Sequence, residues 1–152
     1  MSHHTQIQIR VNQPKISFFS ENTSYRHKGV RLTKKWITDT IVHEGKTPGE
    51  LSVIFCNDDT LYEMNVKYLD HDTLTDIITF NYNDGNIVSG DIFISIDRVK
   101  ENSLSYSRSF TEELSRVIIH GVLHLCGYND KSSTEEKQMR KKEDQYLAIK
   151  PG

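Results

Sequence analysis

The segment HGVLHLCGYND, residues 120–130, sets His120 and His124 four residues apart, then Gly127, then Asp130. On a helix, four residues advance the axis by about 6 Å and rotate it by about 400°, so both imidazoles leave from nearly one face. That is the spacing by which two histidines grip one metal ion. Gly127 falls where a helix ends through a left-handed residue, and the returning chain can carry Asp130 to the same ion. Two imidazoles and one carboxylate leave a coordination position for water, as catalytic zinc sites do, which makes His120 and His124 candidate catalytic residues as well as ligands. The residues alone leave a second reading open: a histidine pair that binds nothing, with Asp130 a turn residue capping backbone amides.

The neighbours narrow the chemistry. A zinc peptidase of the HExxH kind carries its general base beside the first histidine, and here that place is Gly121. Glycine transfers no proton, although it lets another backbone or a substrate approach closely. Glu113 lies two turns before His120; solvent is its expected environment, with a bond to a ligand histidine as the alternative. Cys126 points away from His124 on a helix and reads as core. Elsewhere, residues 26–35 hold Arg26, Lys28, Arg31, Lys34 and Lys35 with no acid. That is either a phosphate-binding patch or a solvated loop and helix start.

These residues need elements to position them. A strong helix is expected over SFTEELSRVIIHGVLHLCG, with Leu114, Val117, Ile118, Val122 and Leu125 at helical spacing. Upstream, KISFFSEN (15–22) reads as a strand, Val30 to His43 as an amphipathic helix on Trp36, Ile37 and Ile41, and Pro48-Gly49 as a turn. LSVIFCN (51–57) is a buried strand, and Asn57-Asp58-Asp59 can cap a helix on Leu61, Met64, Val66 and Tyr68. DIITFNY (76–82) and GDIFISI (90–96) read as strands around a hairpin at 83–86, followed by a helix at about 97–106. Ser133 as N-cap with Glu136 makes a capping box for a charged last helix to about Ala148. This interleaving predicts an α/β or α+β layer fold with a small mixed sheet.

Composition sets outer bounds. The 152 residues suit one domain with a single moderate core. No apolar run approaches the roughly 20 residues that cross a bilayer, and no membrane partner is expected. The start, MSHHTQIQIRVNQ, lacks the layout of a signal peptide; His3 and His4 read as a frayed terminus. Two cysteines, Cys56 and Cys126, build no disulfide framework and suit a reducing cytosol, so a cytoplasmic protein is expected. A net charge of −2 gives no global signal for nucleic acid, which leaves local patches to bind it.

The segment at 120–130 resembles the signature of the YbeY family of endoribonucleases, H-G-x-L-H-L-x-G-Y-D-H, matching at His120, Gly121, Leu123, His124, Leu125, Gly127 and Tyr128. NVKYLDHDTLTDIITF (65–80) is similar to the family's N-x-x-Y-R-x-x-D-x-P-T-D-V-L-S-F at Asn65, Tyr68, Asp72, Thr75, Asp76 and Phe80, and Gly90-Asp91-Ile92 to its G-D-I strand. The likeness covers about residues 50–131. It implies an α+β fold, a small mixed four-stranded sheet layered with about five helices. It also implies one zinc ion, with another divalent transition metal as the variant. The activity implied is single-strand-specific, metal-dependent cleavage of RNA in maturing the 3′ end of small-subunit ribosomal RNA and in ribosome quality control. Precursor ribosomal RNA, the small subunit, and a ribosomal protein or assembly GTPase are the implied partners.

Three departures bear on mechanism. The family's third histidine is Asp130 and the acid before it is Asn129. A carboxylate still ligates zinc, but it adds negative charge and opens the site to manganese or iron. The family's arginine after the tyrosine is Leu69, which cannot meet a phosphate, so Lys67 or Arg31, Lys34 and Lys35 would have to supply substrate-binding charge. The family's proline before the threonine is Leu74, which changes loop stiffness. Two other functions compete: a metal-stabilised ribosome-assembly module that does not cut, and, less favoured, a zinc metallopeptidase.

Overall fold

The computed structural model describes residues 14–70 and 74–151; Asp72 and the N-terminal segment with His3 and His4 lie outside the described residues. Among these, four strands form one mixed sheet: β1 (Lys15–Ser20), β2 (Thr47–Cys56), β3 (Ile77–Asn81) and β4 (Ile87–Ser95). The order is β1-β2-β4-β3, with β1 parallel to β2, β2 parallel to β4, and β3 antiparallel to β4. Five helices among the described residues accompany it: α1 (Val30–His43), α2 (Asp58–Leu69), α3 (Ile96–Ser105), α4 (Phe110–Leu125) and α5 (Ser133–Leu147). This is the expected α+β architecture.

The central strand explains the layering. Val53, Ile54, Phe55 and Cys56 are all buried, because β2 has partners on both sides and helices over both faces. On one face Leu51, Val53 and Phe55 join Ile92 and Ile94 in the main core, closed by Trp36, Ile37 and Ile41 of α1 and by α4. The other face carries a smaller cluster, where Leu61 of α2 meets Cys56 and Ile78. Val66 and Tyr68 remain exposed, so the buried stripe of α2 is narrower than its apolar residues suggest.

Two local expectations fail. Pro48-Gly49 is not a turn but the irregular entry of β2, with the register shifted between Pro48 and Leu51. β1 pairs only from Glu50 onward, so no β1 residue pairs with Pro48, whose missing N–H is tolerated at the start of a strand. A Cβ at Gly49 would come within 2.4 Å of Ser89 Oγ, which is why a glycine stands at the irregularity. The capping box of α5 is also one residue earlier, with Ser132 accepting from the Glu135 amide and Glu135 accepting from the Ser132 amide.

Candidate metal centre

Helix α4 starts at a reciprocal capping box between Ser109 and Glu112. It lies unusually close to the sheet at Gly121, where an added Cβ would fall 2.8 Å from Ile77 Cδ1 and 2.9 Å from Ile92 Cγ2. The glycine therefore serves the approach of strand side chains rather than of a backbone or a substrate. It seats His120 next to the start of β3, where Asp76 precedes Ile77.

At the far end α4 closes as a Schellman motif, the Tyr128 amide donating to Leu123 O at 3.1 Å and the Gly127 amide to His124 O at 3.0 Å. Gly127 has φ +109°, a conformation other residues avoid. The turn is pinned from outside: Asn83 Nδ2 donates to Leu125 O at 2.8 Å, and Tyr128 Oη donates to Glu44 Oε1 at 2.6 Å. One residue separates Asp130 from the Ser132 cap of α5, so its position is fixed from both sides.

The outcome is a triangle of donor atoms. His120 Nε2 and His124 Nε2 are 3.0 Å apart, and Asp130 Oδ2 lies 3.2 Å from the first and 3.3 Å from the second. A tetrahedral zinc ion with ligands at roughly 2.0–2.1 Å requires donors about 3.3 Å apart. The triangle fits one divalent ion seated over it. It is the one such group of three or more histidine, cysteine, aspartate or glutamate ligands among the described residues.

Hydrogen bonds behind the triangle fix the ring states. His120 Nδ1 lies 2.6 Å from Glu143 Oε2. With Nδ1 donating to that carboxylate, Nε2 keeps its lone pair for a metal. Arg116 holds the other oxygen of Glu143 at 2.8 Å and Asp144 at 2.8 Å. The ring of His124 meets that of His120 edge-on, with 4.6 Å between centroids.

The charges act as the contacts suggest. Burial disfavours protonated His120, but Glu143, Asp130 and Asp76 outweigh it and hold its pKa above that of an ordinary imidazole. Burial and the charge of His120 push His124 the other way. Burial would raise Glu143, yet its bonds to His120 and Arg116 keep it below the usual carboxylate range. Burial raises Asp76, with His120 opposing and Glu143 and Asp130 adding to the rise.

A cleft of about 350 Å³ opens beside the triangle. Its floor is one face of α4, at Glu113, Arg116, Val117 and His120; Tyr106 after α3 stands on one side, and Arg140 and Glu143 of α5 on the other. Glu113 does not face solvent as expected; it is buried and paired with Arg108 Nη1 at 2.9 Å. The carboxylate that orients His120 is Glu143 instead. A signal for it exists, since Glu143 shares a helical stripe with the buried Met139 and Tyr146. Asp76, matched in sequence but given no role, also lines the cleft.

The residues suggested for substrate binding lie elsewhere. Arg31, Lys34 and Lys35 are exposed on α1, Lys35 in an ion pair with Asp39 at 2.8 Å, and Lys67 sits over the Tyr68 ring on α2. None of them lines the cleft. Cys126 is buried in the main core, its thiol pushed up to about 11 by burial, and it takes no part in the triangle.

Comparison with known proteins agrees with the geometry. Residues 15–149 match the family model described as Endoribonuclease YbeY. A relative named endoribonuclease YbeY from Flavobacterium johnsoniae is 47% identical over 131 residues, covering 86% of this chain and 94% of its own. One from Flavobacterium psychrophilum is 53% identical over 114 residues, covering 75% and 81%. The solution structure of TM1509 from Thermotoga maritima superposes with a TM-score of 0.61 at 28% identity, covering 87% of this chain and 86% of the other.

Proposed function

The chain belongs to the endoribonuclease YbeY family, and from that premise we propose that it cuts single-stranded RNA at a zinc ion held by His120, His124 and Asp130. The observation that carries this reading is the donor triangle, with edges of 3.0, 3.2 and 3.3 Å. The substrate we assign is precursor ribosomal RNA, matured at the 3′ end of the small-subunit species, with a role in ribosome quality control. The small subunit, with a ribosomal protein or an assembly GTPase, would be the partner, and the cytoplasm the compartment. Two free, buried cysteines suit that compartment, and no helix among the described residues is long and apolar enough to cross a membrane.

A bound metal would supply polarisation of a phosphoryl oxygen and acidification of water. This chain's residues do the rest. Glu143 holds His120 in the tautomer that presents Nε2, and Arg116 holds Glu143 ionised. Asp76, half-buried in the cleft, is placed where a carboxyl group could exchange a proton close to the reacting phosphate. Tyr106 is exposed on the cleft and stacked with Arg108, 5.2 Å from ring centroid to guanidinium carbon. Such a ring suits a splayed base and so favours single strands over duplex.

The competing readings fit less well. A structural zinc site is usually closed by four protein ligands, whereas this group offers three. A peptidase would need a carboxylate at residue 121, where even a methyl group collides with the sheet.

The test is single-turnover cleavage of an end-labelled precursor of small-subunit ribosomal RNA. Cleavage near its 3′ end should stop on chelation and return with added zinc or manganese. A metal-loaded protein that binds this RNA and never cuts it would favour the assembly module.

A further inference from the structure

The cleft beside the metal centre raises a question of charge. Four carboxylates line the cleft, Glu113 in its pair with Arg108 and Asp76, Asp130 and Glu143 beside His120, and an RNA phosphate approaching them needs a cation to meet it.

The cleft holds three arginines, and two are already engaged. Arg108 is bonded to Glu113, and Arg116 to Glu143 and Asp144. The third, Arg140, is exposed and makes no hydrogen bond or ion pair among the described residues. Its position is specific. A second hollow, about 290 Å³, opens by the triangle, and four residues line both hollows: His120, Asp130, Glu143 and Arg140. The first three belong to the metal centre or orient it. Arg140 precedes Glu143 by three residues on α5, so both leave from nearly one face of that helix.

We propose that Arg140 binds the RNA phosphate beside the metal centre, supplying from α5 a free cation to this acidic cleft; this rests on the nuclease reading above. Its guanidinium is unengaged, permanently charged, and forked to match two phosphate oxygens. It positions substrate and transfers no proton.

The experiment compares full-length wild type, Arg140→Gln, Arg140→Lys and, as a charge control on the distant edge strand β1, Lys15→Gln. A short single-stranded RNA with a 5′ fluorophore is titrated by anisotropy across a range of KCl with chelator present, so that binding is read without metal. Arg140→Gln should weaken binding, and its slope of log affinity against log salt should fall by about 0.7, the share of one phosphate contact on a single strand. Arg140→Lys should keep that slope. With zinc added, Arg140→Gln should slow single-turnover cleavage roughly a hundredfold, and Arg140→Lys should recover only part of it, because the fork is lost. Metal content should equal that of wild type in every variant. A wild type that cuts, with Arg140→Gln indistinguishable from Lys15→Gln in slope and rate, would overturn this proposal alone. Loss of metal in Arg140→Gln would also overturn it, by moving the residue's role to the metal centre. A wild type that never cuts would remove the nuclease reading on which it rests.

Discussion

His120 Nδ1 and Glu143 Oε2 lie 2.6 Å apart, joining a candidate ligand on α4 to a buried carboxylate on α5. Glu143→Gln keeps the shape and an acceptor oxygen but removes the charge. Zinc affinity at pH 8 should fall about 10–100-fold, with the circular dichroism spectrum unchanged, as read by competition with a chelator. The pH profile should move as well. Glu143 helps hold His120 above the ordinary imidazole pKa, so in wild type the proton competes with metal up to a higher pH. In the variant, loading relative to its own plateau should therefore persist to lower pH. An unchanged profile would mean that Glu143 does not set the protonation of His120.

Gly121→Ala tests the close seat of α4. Its Cβ would lie 2.8 Å from Ile77 and 2.9 Å from Ile92, both branched side chains held in the sheet. Overpacking of this kind costs about 1–3 kcal/mol, and the thermal midpoint should drop accordingly. The push bears on the residue next to His120, so metal affinity should drop too. A variant with wild-type midpoint and affinity would show that the contact yields freely.

Glu44 gives a pH test away from the metal ligands. Its nearly buried carboxylate accepts from Tyr128, Tyr146 and Lys142, tying the end of α1 to the Gly127 turn and to α5. Burial alone would raise its pKa, but those bonds and the Lys142 charge lower it below the ordinary value of 4.5. A depressed carboxylate stabilises the fold fully above its unfolded pKa, and that contribution is lost as pH falls through the folded value. With chelator present, Glu44→Gln should cost about 2 kcal/mol at neutral pH. The gap in thermal midpoint between variant and wild type should close below pH 4.5. A gap that stays constant into acid would place the effect in packing instead.

Much of this was legible in the sequence because it rests on local chemistry. Helical periodicity located α4, and the histidine spacing followed by Gly127 made Asp130 a candidate to return to His120 and His124, where the three side chains do meet. The misses share a physical reason, since each is decided by how side chains and elements pack and not by local residue pattern. Glu143 is 23 residues from His120, and its burial is decided by how α5 packs on α4. Glu113 looks like a solvent residue until Arg108 folds over it. Pro48-Gly49 carries a turn signature, but pairing with β4 drew the chain into a strand. Arg140 carries no signal of its own within a charged helix, and only the two hollows around His120 and Asp130 set it apart.

Metal content and RNA cleavage in Asp130→Ala decide whether the donor triangle is a catalytic metal site. Wild type should carry one metal ion per chain and cut the ribosomal RNA precursor; Asp130→Ala should lose both, and Asp130→His, which supplies a third imidazole, should keep the metal. Asp130→Ala that retains the ion at wild-type affinity would leave Asp130 a turn residue and the metal bound without it, and the three-ligand centre would fall.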